Sequence, residues 1–274
     1  MNERIACIGG GNMGRAILGG LCRRGHAPAA IVVAEPLAAA RAALAADFGV
    51  EVTARNDAAV DGADVVLLAV KPQQMKDVVR ALAEPFARRR PLVVSIAAGI
   101  TTASLARWIG APLPLVRAMP NTPALVGRGA TGLFATPETP DGMRALAERL
   151  LAAVGCVEWV AEEALLDAVT ALSGSGPAYF FLFLESLERA GVALGLPADV
   201  ARRLAIETAA GAAELARTSP ADPGMLRAQV TSPGGTTERA LAVFAAGGFE
   251  PLVHAALAAA ATRAAELSAE FGGA

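Results

Sequence analysis

Over residues 4–160, short runs rich in β-branched residues alternate with alanine-rich stretches at helical spacing, and this alternation constrains the fold more than any other feature. Strands that run the same way need a long crossover between them, usually a helix, so the pattern predicts a parallel sheet covered on both faces. The expected strands are Ile5 to Ile8, Ile31 to Ala34, Val65 to Val70, Leu92 to Ile96 and Leu115 to Met119, with weaker ones near Gly132 to Ala135 and Val157 to Val160. Several are apolar throughout, as doubly covered strands must be. After about Glu162 these runs stop. Long apolar stretches at helical spacing follow, punctuated by Gly195-Leu196-Pro197, Ser219-Pro220 and Ser232-Pro233-Gly234-Gly235. The expected boundary therefore separates an α/β domain over residues 1–161 from an all-helical domain over 162–274.

A chain of 274 residues can bury two such cores. Its 54% hydrophobic and 18% charged residues exclude a disordered chain and call for extensive burial or subunit contact. The stretch Tyr179 to Leu187 is apolar around most of a helical circumference, so a second copy of the chain is its expected cover. A net charge of -2, without a basic stripe, argues against a nucleic-acid partner. The apolar run Ala178 to Leu184 ends at Glu185, short of the roughly 20 residues a membrane span needs, so no membrane partner is expected. Met1 to Arg4 runs into a strand without the pattern of a signal peptide, which predicts a cytoplasmic protein. Cys7, Cys22 and Cys156 are odd in number and widely spaced, which predicts three reduced, mostly buried thiols and neither a disulfide framework nor a zinc site.

Directly after the first strand, Gly9, Gly10, Gly11, Asn12, Met13 and Gly14 fit Gly-x-Gly-x-x-Gly, and a helix follows. Between a strand and a helix, that spacing permits a tight turn, close approach of a pyrophosphate, and close helix packing. The first domain is thus expected to be a Rossmann-type doubly wound sheet. Glu35 ends the second strand, where an acidic side chain accepts hydrogen bonds from an adenosine ribose. It could equally be a solvated loop glutamate, and Arg41 could attend a 2′-phosphate, so NADH and NADPH both stay open. Ala69-Val70-Lys71-Pro72, Ser95-Ile96-Ala97-Ala98-Gly99 and Met119-Pro120-Asn121-Thr122-Pro123 end later strands at the edge where such folds place ligands. Lys71 is read either as a ligand contact or as a surface charge. The Pro-Asn-Thr-Pro segment is read either as a presenter of polar groups or as a plain turn.

In the helical half, Ser232 looks like an N-cap with Pro233 at the first helical position. Gly234, Gly235 and Thr236 would then offer bare N–H groups to a carboxylate, and Thr237 would add a hydroxyl; the rival reading is a capped helix only. His26 and His254 read as structural or exposed. No serine, histidine and aspartate set or metal cluster can be assembled, and hydride chemistry needs neither, because a cofactor brings the reactive atom.

The glycine turn, Ala69-Val70-Lys71-Pro72, Met119-Pro120-Asn121-Thr122-Pro123, Ser173-Gly174-Ser175-Gly176-Pro177-Ala178-Tyr179 and the run Val230 to Thr237, in that order and spacing, resemble the pyrroline-5-carboxylate reductases. The resemblance covers nearly the whole chain. It implies a nucleotide-binding domain followed by a helical domain that interlocks with its twin, in dimers often assembled into decamers, with the active site between the cofactor crevice and helical segments of both subunits. It further implies that Ile8, Gly9, Gly10, Gly11, Asn12, Met13, Gly14, Glu35, Asn56, Ala69, Val70, Lys71, Pro72, Ile96, Ala97, Ala98 and Asn121 hold NADPH or NADH. Ser232, Gly234, Gly235, Thr236 and Thr237 would hold the imino acid, with Glu163 beside both ligands and Thr237 on the ring nitrogen as the catalytic side chain. The reaction implied is reduction of pyrroline-5-carboxylate to proline. A hydroxyacid dehydrogenase of the same plan would want a basic residue at the start of the helical half, and Ser173 to Tyr179 contains no lysine or histidine. A cofactor-binding regulator without turnover is the rival of a different class.

Overall fold

The computed structural model describes residues 3–272. They form two compact units, one running up to Ser175 and resuming from Ala259, the other Gly176–Ala258.

The first unit holds β1 (Ile5–Ile8), α1 (Asn12–Arg23), β2 (Ile31–Ala34), α2 (Ala38–Phe48), β3 (Glu51–Thr53), α3 (Asn56–Val60), β4 (Val65–Leu68), α4 (Pro72–Ala81), α5 (Ala83–Arg89), β5 (Leu92–Ser95), α6 (Thr102–Ile109), β6 (Leu115–Met119), β7 (Gly129–Ala135), α7 (Asp141–Leu151), β8 (Gly155–Trp159) and α8 (Leu165–Val169). The strands form one sheet in the order β3-β2-β1-β4-β5-β6-β7-β8. The direction of winding reverses at β1 and β4, the place where doubly wound sheets open a ligand crevice at their carboxyl edge.

The expected parallel sheet needs a correction at β7, which pairs antiparallel with β6 through Val116 and Ala135. A short 3₁₀ turn, Thr122–Val126, joins the two, and no connection that short can carry the chain back for a parallel return. The strand β3 is absent from the sequence reading because three residues at the sheet edge, with Glu51 exposed, leave no apolar run to detect. The strand at Val65 stops at Leu68 rather than Val70, because Lys71 and Pro72 already open α4.

Successive side chains of one strand feed opposite layers, as the two-residue strand period requires. Ile5 and Cys7 join Ile17, Leu18, Leu21, Leu44 and Leu150 on one face, while Ala6 and Ile8 join Met75, Val79, Leu82, Phe86 and Trp108 on the other. Burying each of the larger side chains contributes roughly 1.5 to 3 kcal/mol. The division between units falls later than residue 161 for a packing reason. Leu166 is fully buried, and a Cβ on Gly132 of β7 would lie 2.7 Å from Val169, so α8 seals this end of the sheet and belongs to it.

The second unit contains α9 (Gly176–Ala193), α10 (Ala198–Thr218), α11 (Pro223–Gln229), α12 (Thr236–Ala246) and the first part of α13 (Phe249–Gly272). Helices α9 and α10 touch closely where Gly191 faces Ala201. Phe183, Phe244 and Phe249 form a chain of tilted and edge-on rings with centroids 6.3 and 5.6 Å apart. Phe180, Phe181 and Leu182 of α9 remain exposed. The end of α13 is part of the first unit, where Phe271 lies against Gly99 and Arg107 donates to Gly272 O. Among the described residues no single helix is long and apolar enough to cross a membrane; α12 and α13 meet both conditions only together, across a 53° bend.

Candidate active site

The glycine turn begins with Gly9, whose φ of +102° lies in the region that favours glycine and whose added Cβ would stand 2.7 Å from Ala69 O. Its N–H donates to Ala34 O at 2.9 Å. An added Cβ on Gly14 would meet Gly9 O at 2.7 Å, so α1 lies hard against the turn. Gly11 is different: a Cβ there would meet nothing within 4 Å. Gly11 is also the N-cap of α1 and has no side chain to cap it, so the N–H groups of Asn12, Met13 and Gly14 stand at the positive end of the helix without intrahelical partners. Open space in front of an uncapped helix end fits a dinucleotide pyrophosphate. Ile8 is buried beneath the turn, and its carbonyl accepts from Ala69 N at 2.8 Å.

The remaining cofactor candidates lie along the same carboxyl edge. Glu35 follows β2 and accepts from Gly10 N at 3.0 Å. Asn56, half-buried, opens α3 after β3. Ala69 and Val70 flank the glycine turn, with Val70 3.2 Å from the added Cβ of Gly9. Lys71 is exposed at the N-cap position of α4, before Pro72. Ile96, Ala97 and Ala98 follow β5, and Ile96 N donates to Leu68 O at 3.2 Å.

Two of the expected contact residues are engaged within the chain. Asn121 is buried, with Nδ2 donating to Ser173 O at 3.0 Å and Oδ1 accepting from Ala130 N at 2.8 Å, so its side chain staples the β6 exit to β7 and to the turn at Ser173. Glu163 is likewise occupied. Its Oε1 accepts from Thr102 N at 2.8 Å and from Arg117 at 3.1 Å, and its Oε2 accepts from Thr102 Oγ1 at 2.6 Å. It caps α6 and neutralises the buried Arg117 guanidinium, to which Asp167 adds a carboxylate at 3.8 Å. The residues between α8 and α9, Thr170–Gly174, form one turn of π-helix, a local feature that no sequence signal marks and that often accompanies functional sites. A Cβ on Gly174 would stand 2.7 Å from Met119 Cε, so this turn lies against the β6 exit.

The helical turn is also built differently from its sequence reading. Gly235, not Ser232, is the N-cap of α12, and Thr236 and Thr237 are its first two residues. Ser232 to Gly235 form a turn closed by Gly235 N donating to Ser232 O at 3.0 Å, and Gly234 takes a φ of +71°, which a helix cannot continue through. Glu238 reaches back to accept from Gly234 N at 2.7 Å, which fastens the turn to the first turn of α12 but satisfies none of that helix's own N–H groups. The N–H groups of Gly234 and Gly235 are therefore engaged. Those of Thr236 and Thr237, at the positive end of an 11-residue helix, are the ones presented to an anion, beside the half-buried Thr237 side chain.

Cys7 precedes the glycine turn, but burial pushes its thiol up to about 12, which excludes it as a nucleophile near neutral pH. Cys22 is half-buried and Cys156 is exposed, so the expectation of mostly buried thiols fails at Cys156, on the edge strand.

Comparison with known proteins matches both parts of this architecture. Residues 163–267 match the family profile for pyrroline-5-carboxylate reductase dimerisation, and residues 4–99 match that of coenzyme F420-dependent NADP oxidoreductases. A curated pyrroline-5-carboxylate reductase of Pseudomonas aeruginosa is 51% identical over 98% of this chain and 98% of its own. Among solved structures, the pyrroline-5-carboxylate reductase of Coxiella burnetii superposes with a TM-score of 0.95 at 43% identity, covering 98% of this chain and 99% of that one. The Plasmodium falciparum pyrroline carboxylate reductase, solved with NADP bound, reaches a TM-score of 0.85 at 26% identity over 97% of this chain and 98% of that one. Given this likeness along nearly its full length, the chain belongs to the pyrroline-5-carboxylate reductase family.

Proposed function

We propose that this chain reduces L-1-pyrroline-5-carboxylate to L-proline with NAD(P)H, the last step of proline biosynthesis, and that Thr237 is its catalytic side chain. The observation that carries the reading is that one chain holds two glycine turns that each lead into a helix whose first N–H groups have no side-chain cap: the turn before α1, with open space at Gly11, and the turn before α12, next to Thr237. Each suits an anion, and the reaction brings together one ligand with a pyrophosphate and one with a carboxylate.

In this reading Gly11, Asn12, Met13 and the strand ends at Glu35, Asn56, Ala69 to Pro72 and Ile96 to Ala98 hold the dinucleotide, which when bound supplies hydride to the C5 carbon of the imine. The N–H groups of Thr236 and Thr237 hold the substrate carboxylate, within the turn that Ser232, Gly234 and Gly235 shape. The Thr237 hydroxyl hydrogen-bonds the ring nitrogen. As the C=N double bond becomes single, its π electron pair is left on that nitrogen, which also takes up a proton, and a bond that strengthens along this path lowers the barrier more than it tightens binding. Holding the two reactants in register contributes the larger share.

The dimerisation match supports self-association, and exposed Phe180, Phe181 and Leu182 suit burial against a second copy. A dimer, with decamers built from it, is the assembly this reading carries. Three free cysteines, one of them exposed, suit a reducing compartment such as the cytoplasm. The test is to supply purified protein with pyrroline-5-carboxylate and either cofactor. One proline formed per nicotinamide oxidised supports the reading, and cofactor binding without proline would make the chain a regulator instead.

A further inference from the structure

We infer that Glu35 makes this chain discriminate against NADPH in favour of NADH; the inference rests on the glycine turn being the dinucleotide site. Glu35 directly follows β2, and its N–H donates to Thr53 O at 3.0 Å, so its backbone continues the pairing of β2 with β3. Its carboxylate is fixed at both oxygens. Oε2 accepts from Gly10 N and Oε1 from Leu37 N, each at 3.0 Å. Each oxygen keeps a further lone pair, so the group can still accept from the two adjacent hydroxyls of an adenosine ribose, the part an acid plays at this strand end.

A ribose 2′-phosphate would bring negative charge to the same place. The carboxylate cannot swing aside without leaving the N–H groups of Gly10 and Leu37 unbonded. Nor does the loop offer compensation: Glu35, Pro36, Leu37 and Ala38 carry no hydroxyl or cationic side chain. The arginines at this edge are turned to other acceptors. Arg41 donates through one nitrogen to Glu35 O at 2.7 Å and Pro36 O at 2.8 Å, which anchors its guanidinium on the loop backbone. Arg55, which follows β3, pairs with Asp57, its Nε 3.1 Å from Oδ1. A hydroxyl pair is therefore accommodated as the loop stands, and a phosphate is opposed.

Calorimetric titration of the full-length protein with ADP-ribose and with its 2′-phosphorylated form isolates this contact from turnover. The wild type should bind ADP-ribose at least about tenfold more tightly. Glu35→Ser and the isosteric Glu35→Gln should each narrow that ratio by about tenfold, and the second keeps the side chain's shape while removing its charge. Equal or tighter binding of the 2′-phosphorylated form by the wild type overturns the inference, as does a ratio unchanged in both variants. So does an Arg41→Ala variant that selectively loses the 2′-phosphorylated ligand, since that would place the guanidinium on the phosphate. Absence of binding by both ligands to the wild type would overturn the dinucleotide site itself and the inference with it, whereas discrimination without proline formation would leave the inference standing and remove the proposed reaction.

Discussion

Thr237 occupies the second position of α12, where its N–H has no intrahelical partner and its hydroxyl is beside the bare helix end. Thr237→Ala keeps that N–H and loses the hydroxyl. Turnover should fall about tenfold to a hundredfold, the cost of roughly 1 to 3 kcal/mol for one bond to the reacting nitrogen, with a smaller change in KM. Ser232→Ala keeps the carbonyl that closes the turn and should mainly raise KM. Steady-state kinetics on both variants decide the matter, and unchanged turnover in Thr237→Ala would reduce that residue to a helix-start threonine. Gly11→Val should abolish NAD(P)H binding, because the new side chain fills the space before α1, while folding is kept, because a Cβ there meets nothing within 4 Å. Cofactor titration beside thermal melting checks both halves. His26 controls a pH effect instead. It is 2% exposed, and neither ring nitrogen has a hydrogen-bond partner among the described residues. Burial holds its imidazole below the ordinary value, so the folded chain refuses a proton that the unfolded chain accepts near pH 6.5. At higher pH the residue is neutral in both states and adds no pH dependence; as pH falls through about 6.5 toward the lowered folded value, stability is lost. The melting temperature of His26→Leu should decline less than that of wild type between about pH 7.5 and 5.5, and parallel declines would contradict this.

At the scale of elements, β6, α6 and α8 are joined by one buried charge cluster. Arg117 lies in the centre of the otherwise apolar β6, with its side chain 5% exposed, and Glu163 binds it while capping α6. Glu163→Ala should cost about 3 kcal/mol in urea unfolding, because it strands a buried guanidinium that Asp167 meets only at 3.8 Å. A variant as stable as wild type with a raised KM would return Glu163 to the substrate. This cluster also shows why some of the site was not legible in the sequence. The glycine turn, Glu35 at the end of β2 and the Lys71-Pro72 strand end are local patterns, each recognisable from the few residues around it. The partners of Glu163 and Asn121, namely Thr102, Arg117, Ala130 and Ser173, are distant in sequence, and only the folded sheet brings them together. The single charge in the run Leu-Val-Arg-Ala-Met was the available sign of a buried ion pair. The start of α12 was misjudged because Ser-Pro signals a cap wherever it occurs, while the left-handed Gly234 that delays the helix carries no mark beyond being glycine.

For the whole molecule, the change from alternating strands and helices to helices alone was legible because it repeats over many residues. The reversal at β7 was not, since it depends on the length of a single connection. The resulting chain divides its tasks: the sheet edge of one unit suits a dinucleotide, and the α12 turn of the other suits a small carboxylate. Their joint product tests the account most directly. Pyrroline-5-carboxylate should be reduced by the purified protein with NADH deuterated on both sides of nicotinamide C4, and the proline examined by mass spectrometry and NMR. One deuterium per proline, carried at C5, is the predicted result. Proline without deuterium at C5, or labelled cofactor recovered unchanged in the presence of substrate, would contradict it.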